Sequence, residues 1–265
     1  MKRIMKLCAF SIIIMIIFVS CGYKPQESNS GETPRQTSMK DEAQYLAFGK
    51  ALWDIYQKGT LPDGRVLDYS SMKAAESNNF SLIDIDFDGK EELLLRWTHA
   101  SMAGTVEYIF GYDNEAIYVE LAEFPRLTFY DNGIVEAGWS HNQGLAGDFW
   151  PYNVYCYNTE NDTYQLIGRV DAWDKSVREE NYEDESFPTD IDVDGDGVVY
   201  YLLPANWDGM YNEIHLVDGA DYLKWRESYL GEAKEISISY QNLTEENIAA
   251  LGYPKPDIQV PEPKG

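Results

Sequence analysis

Asp84, Asp86 and Asp88 alternate along one short stretch, Asp84-Ile85-Asp86-Phe87-Asp88-Gly89-Lys90-Glu91-Glu92-Leu93. Counted from Asp84, carboxylates stand at positions 1, 3 and 5, a glycine at 6 and a further acid, Glu92, at 9. Alternating aspartates in a tight turn aim their oxygens inward, and glycine at position 6 admits the bend. The backbone carbonyl of Lys90, at position 7, adds one more oxygen. Calcium takes six to eight hard oxygen ligands at about 2.3–2.6 Å, and this spacing supplies most of them. Magnesium is the other candidate, but it retains more of its water. An EF-hand would need its bidentate acid at position 12, where this chain has Leu95, and it would need helical flanks where these read as strands. The bland alternative is an acidic β-turn that holds no metal. Against it stands the repulsion among clustered carboxylates with no cation between them.

A second run repeats the pattern 108 residues later: Asp190-Ile191-Asp192-Val193-Asp194-Gly195-Asp196-Gly197-Val198-Val199-Tyr200. Read from Asp192, it places Asp192, Asp194 and Asp196 at positions 1, 3 and 5, Gly197 at 6 and the carbonyl of Val198 at 7. Tyr200 occupies position 9, so one carboxylate is missing and weaker affinity follows, with Asp190 a possible substitute. Each acidic run precedes an apolar strand, a loop with Trp and Met (Trp97 and Met102; Trp207 and Met210), and another strand. This is either an internal duplication or two hairpins sharing one kind of turn.

Catalytic patterns are missing from the sequence. The three histidines, His99, His141 and His215, have no partner at metal-ligand spacing, and no His-Glu-x-x-His, Gly-x-Ser-x-Gly, P-loop or dinucleotide fingerprint occurs. The expectation is a non-enzyme. One other segment has unusual chemistry: Gly138-Trp139-Ser140-His141-Asn142-Gln143-Gly144, followed by Gly147 to Tyr152 with Trp150 inside it. Trp139, His141, Asn142 and Trp150 combine aromatic plates with polar groups, which suits a sugar. Alternatively, the two tryptophans cover a small β core. Ser140 and His141 are adjacent, so in an extended chain they point opposite ways and make a poor nucleophile–base pair.

The elements that must position these residues are legible in outline. A helix opens the folded region near Asp41, with Leu46, Leu52, Trp53 and Tyr56 on one face, and ends at Gly59 and Leu61-Pro62-Asp63-Gly64. Leu93 to Trp97 reads as a buried strand. Residues 107–112 and 116–119 make a hairpin turning at Asp113-Asn114, and 127–130 and 134–136 make another around Asp131-Asn132-Gly133. Val154–Tyr157 and Tyr164–Ile167 flank a third turn. Helices are expected at 220–230 and after Thr244 as N-cap, stopping at Gly252. The fold class is α+β: mainly antiparallel β meander and hairpins, with an N-terminal helix and C-terminal helices.

Residues 1–20 read as a secretory signal: Lys2, Arg3 and Lys6, then an apolar run from Leu7 to Val19, too short for a comfortable span. Residues 21–40 are polar and Pro/Ser-rich, a disordered tether; 41–253 form the folded domain; 254–265 make a Pro-rich tail. Without the signal the chain has 18 basic and 45 acidic residues, a net charge of −27, which repels nucleic acid. With Cys8 removed and Cys21 committed, Cys156 alone remains, so no disulfide is expected and Cys156 reads as a small packed hydrophobe.

Phe18-Val19-Ser20-Cys21 resembles the lipobox of bacterial lipoproteins, in which the cysteine takes a diacylglyceryl group and becomes the new N-terminus. Phe18 stands where Leu is usual. The Asp84–Glu92 run between strands is similar to the calcium hairpins of FG-GAP and VCBS repeats, over about a dozen residues. The whole chain resembles lipoproteins of Gram-positive gut bacteria, through Cys21, the Leu61-Pro62-Asp63-Gly64 helix stop, and Asp84 to Leu95 following Phe80-Ser81-Leu82-Ile83. The resemblance implies lipidation at Cys21, the extracytoplasmic face of the cell membrane and a calcium loop; it implies no activity. The leading expectation is a calcium-stabilised, non-catalytic binding or adhesion module, anchored by lipid and facing a glycan or a cell-surface protein. The alternatives are a glycan-binding protein or weak glycan hydrolase using Trp139–Trp150, and an acidic surface that docks a basic protein.

Overall fold

The structure is a computed structural model that describes residues 39–66, 77–100, 104–124, 126–139, 144–207, 215–253 and 255. Cys21, His141 and Asn142 lie outside the described residues, as do the signal, the tether and most of the tail.

Helix α1 (Met39–Lys58) buries Phe48, Ala51, Leu52 and Ile55, the i, i+3, i+4, i+7 stripe of a helix with one apolar face. Its outer face pairs Asp54 with Lys50 and Lys58, each at 2.7 Å. Gly59, at φ 62°, takes the left-handed conformation that ends it, and its N–H donates to the carbonyl of Ile55. Strands β1 (Asn79–Ile83), β2 (Glu92–Ala100), β3 (Gly104–Asp113) and β4 (Ala116–Glu123) then run as an antiparallel meander. A late strand, β11 (Gln241–Asn242), joins its edge beside β1. The second sheet is also a meander, from β5 (Leu127–Phe129), β6 (Ile134–Gly138), β7 (Tyr152–Asn158) and β8 (Thr163–Asp174) to β9 (Val198–Pro204) and β10 (His215–Val217).

Alternation along the strands builds four layers. In β2 and β3, Leu93, Leu95, Tyr108 and Phe110 face α1, while Leu94 and Ile109 face the second sheet. Val135, Tyr155 and Tyr157 meet them from that sheet. The opposite side of the second sheet, with Ile134, Val154 and Cys156, is covered by α2 (Gly219–Leu230) through Trp225, Tyr229 and Leu230. Docking of α2 is also polar: Arg226 makes a bidentate pair with Glu136 at 2.9 and 3.0 Å, and Tyr130 and Tyr229 donate to the same carboxylate. The α+β class and the antiparallel meander are therefore present.

Two details differ from the sequence reading. The β3–β4 turn falls at Asn114-Glu115, both left-handed at φ 48° and 65°, one residue later than expected, because Asp113 still pairs with Ala116. A strand that the sequence reading does not contain, β11, separates α2 from α3 (Glu245–Ala250), whose cap is Thr244 accepting from the N–H of Asn247. Cys156 is buried, as expected of a small packed hydrophobe.

Candidate metal centre

The first acidic run forms the turn between β1 and β2. Position 1, Asp84, accepts from the N–H of Gly89; position 3, Asp86, from Asp88; and position 5, Asp88, from Lys90. The second run precedes β9 and repeats this wiring at the same positions: Asp192 accepts from Gly197, Asp194 from Asp196 and Asp196 from Val198. Left-handed residues also coincide, at position 4 (Phe87, φ 63°; Gly195, φ 75°) and position 6 (Gly89, φ 93°; Gly197, φ 83°). In both turns, one oxygen at position 1, Oδ1 of Asp84 and of Asp192, is buried with no hydrogen-bond donor.

Not every expected ligand joins the clusters. Asp84, Asp86 and Glu92 bring carboxylate oxygens within 4.8 Å of one another. Asp88 does not: its second oxygen pairs with the ammonium of Lys90 at 2.9 Å. Glu92 also receives the N–H of Ile85 at 2.8 Å, which ties the strand that follows the turn to its start. In the second turn the group is Asp192, Asp194 and Asp218. Neither Asp196 nor Asp190 is in that group; Val198 opens β9. Asp218 joins it from the start of α2, where its side chain makes no capping bond and its Oδ1 is buried without a donor. Tyr200, at position 9, instead stacks on Tyr222 with ring centroids 4.2 Å apart.

Two carboxylates that the sequence reading passes over lie beside the first cluster. Asp86, Glu120 and Asp162 form a second group within 4.8 Å that shares Asp86. Glu120 comes from β4 at a bulge. Ile109 pairs with Leu121 and Phe110 with Val119, so Glu120 is the extra residue and turns toward the second sheet. There its side chain lies over Gly111, where a Cβ would collide with it and with the Tyr118 hydroxyl. Asp162 closes the β7–β8 turn at φ 55° and accepts from the hydroxyls of Tyr118 and Tyr157. Glu120 stands between Val119 and Leu121, where strict alternation points it to solvent, so the sequence carries no signal for it. Asp162 and Asp218 sit in ordinary polar turns and carry none.

Burial dominates the electrostatics. Asp86 and Glu92 are each 3% exposed and Glu120 is 6% exposed. Burial, reinforced by neighbouring carboxylates, pushes Asp86 up to about 6, Glu120 up to about 9 and Glu92 up to about 10. Asp84 is raised by burial and by the charge of Asp88. Burial acts on Asp162 in the same sense, but hydrogen bonds from Tyr118 and Tyr157 and the charge of Lys90 hold it below the ordinary carboxylate range. At 4.8 Å, two carboxylates repel by about 3 kcal/mol at an effective dielectric of about 20. The site must therefore take up either protons or cations.

The aromatic segment forms a different feature. Trp139 lines a cleft of about 240 Å³ with Asp171, Tyr182, Tyr201, Leu203 and Trp207. Trp150 is not part of this lining. Its indole N–H donates to the carbonyl of Trp139 at 3.0 Å, and its ring is 42% exposed. Asp171, at the cleft, is pushed up to about 6 by burial. Among the described residues, no helix is long and apolar enough to cross a membrane.

No family model, curated protein or solved structure matches the chain.

Proposed function

We propose that this chain is a lipid-anchored extracytoplasmic protein whose Asp84 and Asp192 turns hold calcium, and that the ions stabilise a non-catalytic binding module. The observation that carries this reading is the recurrence of one wiring in two turns 108 residues apart, down to a buried, donorless oxygen at position 1 of each. A polar turn needs no such oxygen. A cation gives it a partner, and a buried acceptor left without one costs about 1–3 kcal/mol. The lipobox-like Phe18-Val19-Ser20-Cys21 supports anchoring through Cys21.

Thermal unfolding of the chain from Cys21 onward, with calcium and with a chelator, tests the metal. Calcium at 100 times its dissociation constant adds about 2.7 kcal/mol if it binds only the folded state, so the melting temperature rises by several degrees. Equal melting in both conditions removes the reading. The mass of the N-terminal peptide from cells tests the anchor: a diacylglyceryl thioether on Cys21 supports it, and a free thiol or a disulfide there removes it.

A second reading rests on the cleft. Trp139, Trp207, Tyr182 and Tyr201 line the cleft together with the raised carboxyl of Asp171, a combination that suits a sugar ring with one hydroxyl directed at an acid. Binding to a glycan array that is lost in Trp207→Ala, with the calcium-dependent melting intact, favours this reading; an array with no bound glycan rejects it.

A further inference from the structure

We infer that Asp86, Glu120 and Asp162 form a second divalent-cation site, which shares Asp86 with the Asp84 turn and clasps the two sheets together. The inference builds on the calcium reading of that turn and extends it with ligands from three separate elements. Asp86 comes from the β1–β2 turn, Glu120 from the bulge in β4 of the first sheet, and Asp162 from the β7–β8 turn of the second.

Two observations beyond the clustering of acids point to a ligand. Oε2 of Glu120 and Oδ2 of Asp86 are buried without a hydrogen-bond partner, on side chains 94% and 97% buried. Both belong to the group that also holds Asp162, whose oxygens converge within 4.8 Å. The surroundings are built to present these oxygens. The bulge turns Glu120 inward, Gly111 leaves room for it, and Tyr118 and Tyr157 fix Asp162 by donating to its two oxygens.

Charge counting favours a second ion over one alone. Six carboxylates (Asp84, Asp86, Asp88, Glu92, Glu120 and Asp162) face the single ammonium of Lys90, which reaches Asp88 and Asp162. One divalent ion at the Asp84 turn leaves three surplus negative charges, and a second leaves one. All donors are hard oxygens, which selects calcium or a similar hard cation over thiophilic or imidazole-seeking metals. Asp86, placed between the groups, would offer one oxygen to each ion.

Equilibrium dialysis of the whole chain from Cys21 against calcium, with bound ions counted per chain, tests this. Glu120→Gln keeps the shape of the side chain and removes its charge, and Asp84→Asn does the same at the turn. The expected result is that Glu120→Gln binds one ion fewer than the unaltered chain, and that the double variant binds two fewer. A Glu120→Gln protein that folds and binds as many ions as the unaltered chain overturns the clasp while leaving the turn reading standing. If Asp84→Asn loses no ion but Glu120→Gln does, the turn reading fails and the clasp survives. Terbium luminescence excited through tyrosine gives a second readout: Tyr118 and Tyr157 stand beside Asp162, so Glu120→Gln should lower the sensitised emission, and unchanged emission counts against the site.

Discussion

Gly111 shows how one missing side chain makes room for chemistry. It sits in β3 opposite Tyr118, and the space its Cβ would fill holds the carboxylate of Glu120 and the Tyr118 hydroxyl. Gly111→Ala must displace both. Overpacking of this kind costs about 1–3 kcal/mol, and here it also scatters the ligands. The expected outcome is a lower melting temperature and a smaller rise on adding calcium, both read in the same melting experiment. A variant with an unchanged calcium response would show that Glu120 is not part of the ion-dependent structure. The sequence could not flag Gly111, because a glycine in an apolar strand reads as a weakness and not as a berth. The aspartates of the two turns were legible because their shared wiring is local, with fixed spacing within ten residues. Glu120, Asp162 and Asp218 come from elsewhere in the chain, so local spacing could not reveal them.

At the level of elements, the hairpins were readable because alternation and turn residues are local properties. Tyr130, Ile134, Val135 and Tyr157 could be placed on strands from composition alone, and the structure places them there or at a strand end. The bulge in β4 was not readable. Val119 faces α1 and Leu121 faces the second sheet, although strict alternation would put them on one side. That break is what turns Glu120 inward, and only the pairing partner defines it. The addition of β11 beside β1 was invisible for a similar reason. Gln241-Asn242 is short and polar, and it pairs with Asn79-Phe80 from the far end of the chain. Thr244 needs only its own neighbours to cap α3 and was found from the sequence. Asp218, of a residue type that often caps helices, precedes α2, yet its side chain makes no capping bond.

For the molecule as a whole, the acidic centre makes stability depend on pH in a way that metal should reverse. In the folded chain burial raises Glu92 from 4.5 to about 10, Glu120 from 4.5 to about 9 and Asp86 from 3.8 to about 6. An acid raised on folding binds its proton more tightly in the folded state. Its contribution is therefore full below the unfolded value and is lost as pH climbs through the folded value. Lys90, Tyr118, Tyr157 and Tyr164 also face this centre; each is raised, and Lys90 stays charged throughout the range. In chelator, the melting temperature should fall between about pH 6 and about pH 9. In calcium, which replaces the protons, it should hold, so the gap between the two curves widens with pH. A chelated protein that melts at the same temperature, or higher, at the alkaline end contradicts this account.

The diverted side chain of Asp218 makes the two turns unequal hosts. It stands at the start of α2, where the aligned peptide dipoles present a partial positive pole of about half a charge. An ion held by Asp192, Asp194 and Asp218 sits against that pole, whereas at Asp84 no helix end stands among the grouped carboxylates and the one nearby ammonium, of Lys90, is paired with Asp88 and Asp162. The same residue that supplies the missing oxygen thus brings a repulsive helix end with it. The two turns share one wiring diagram, yet they should answer to different levels of cation, the sheet-joining end at the lower and the helix-bearing end at the higher.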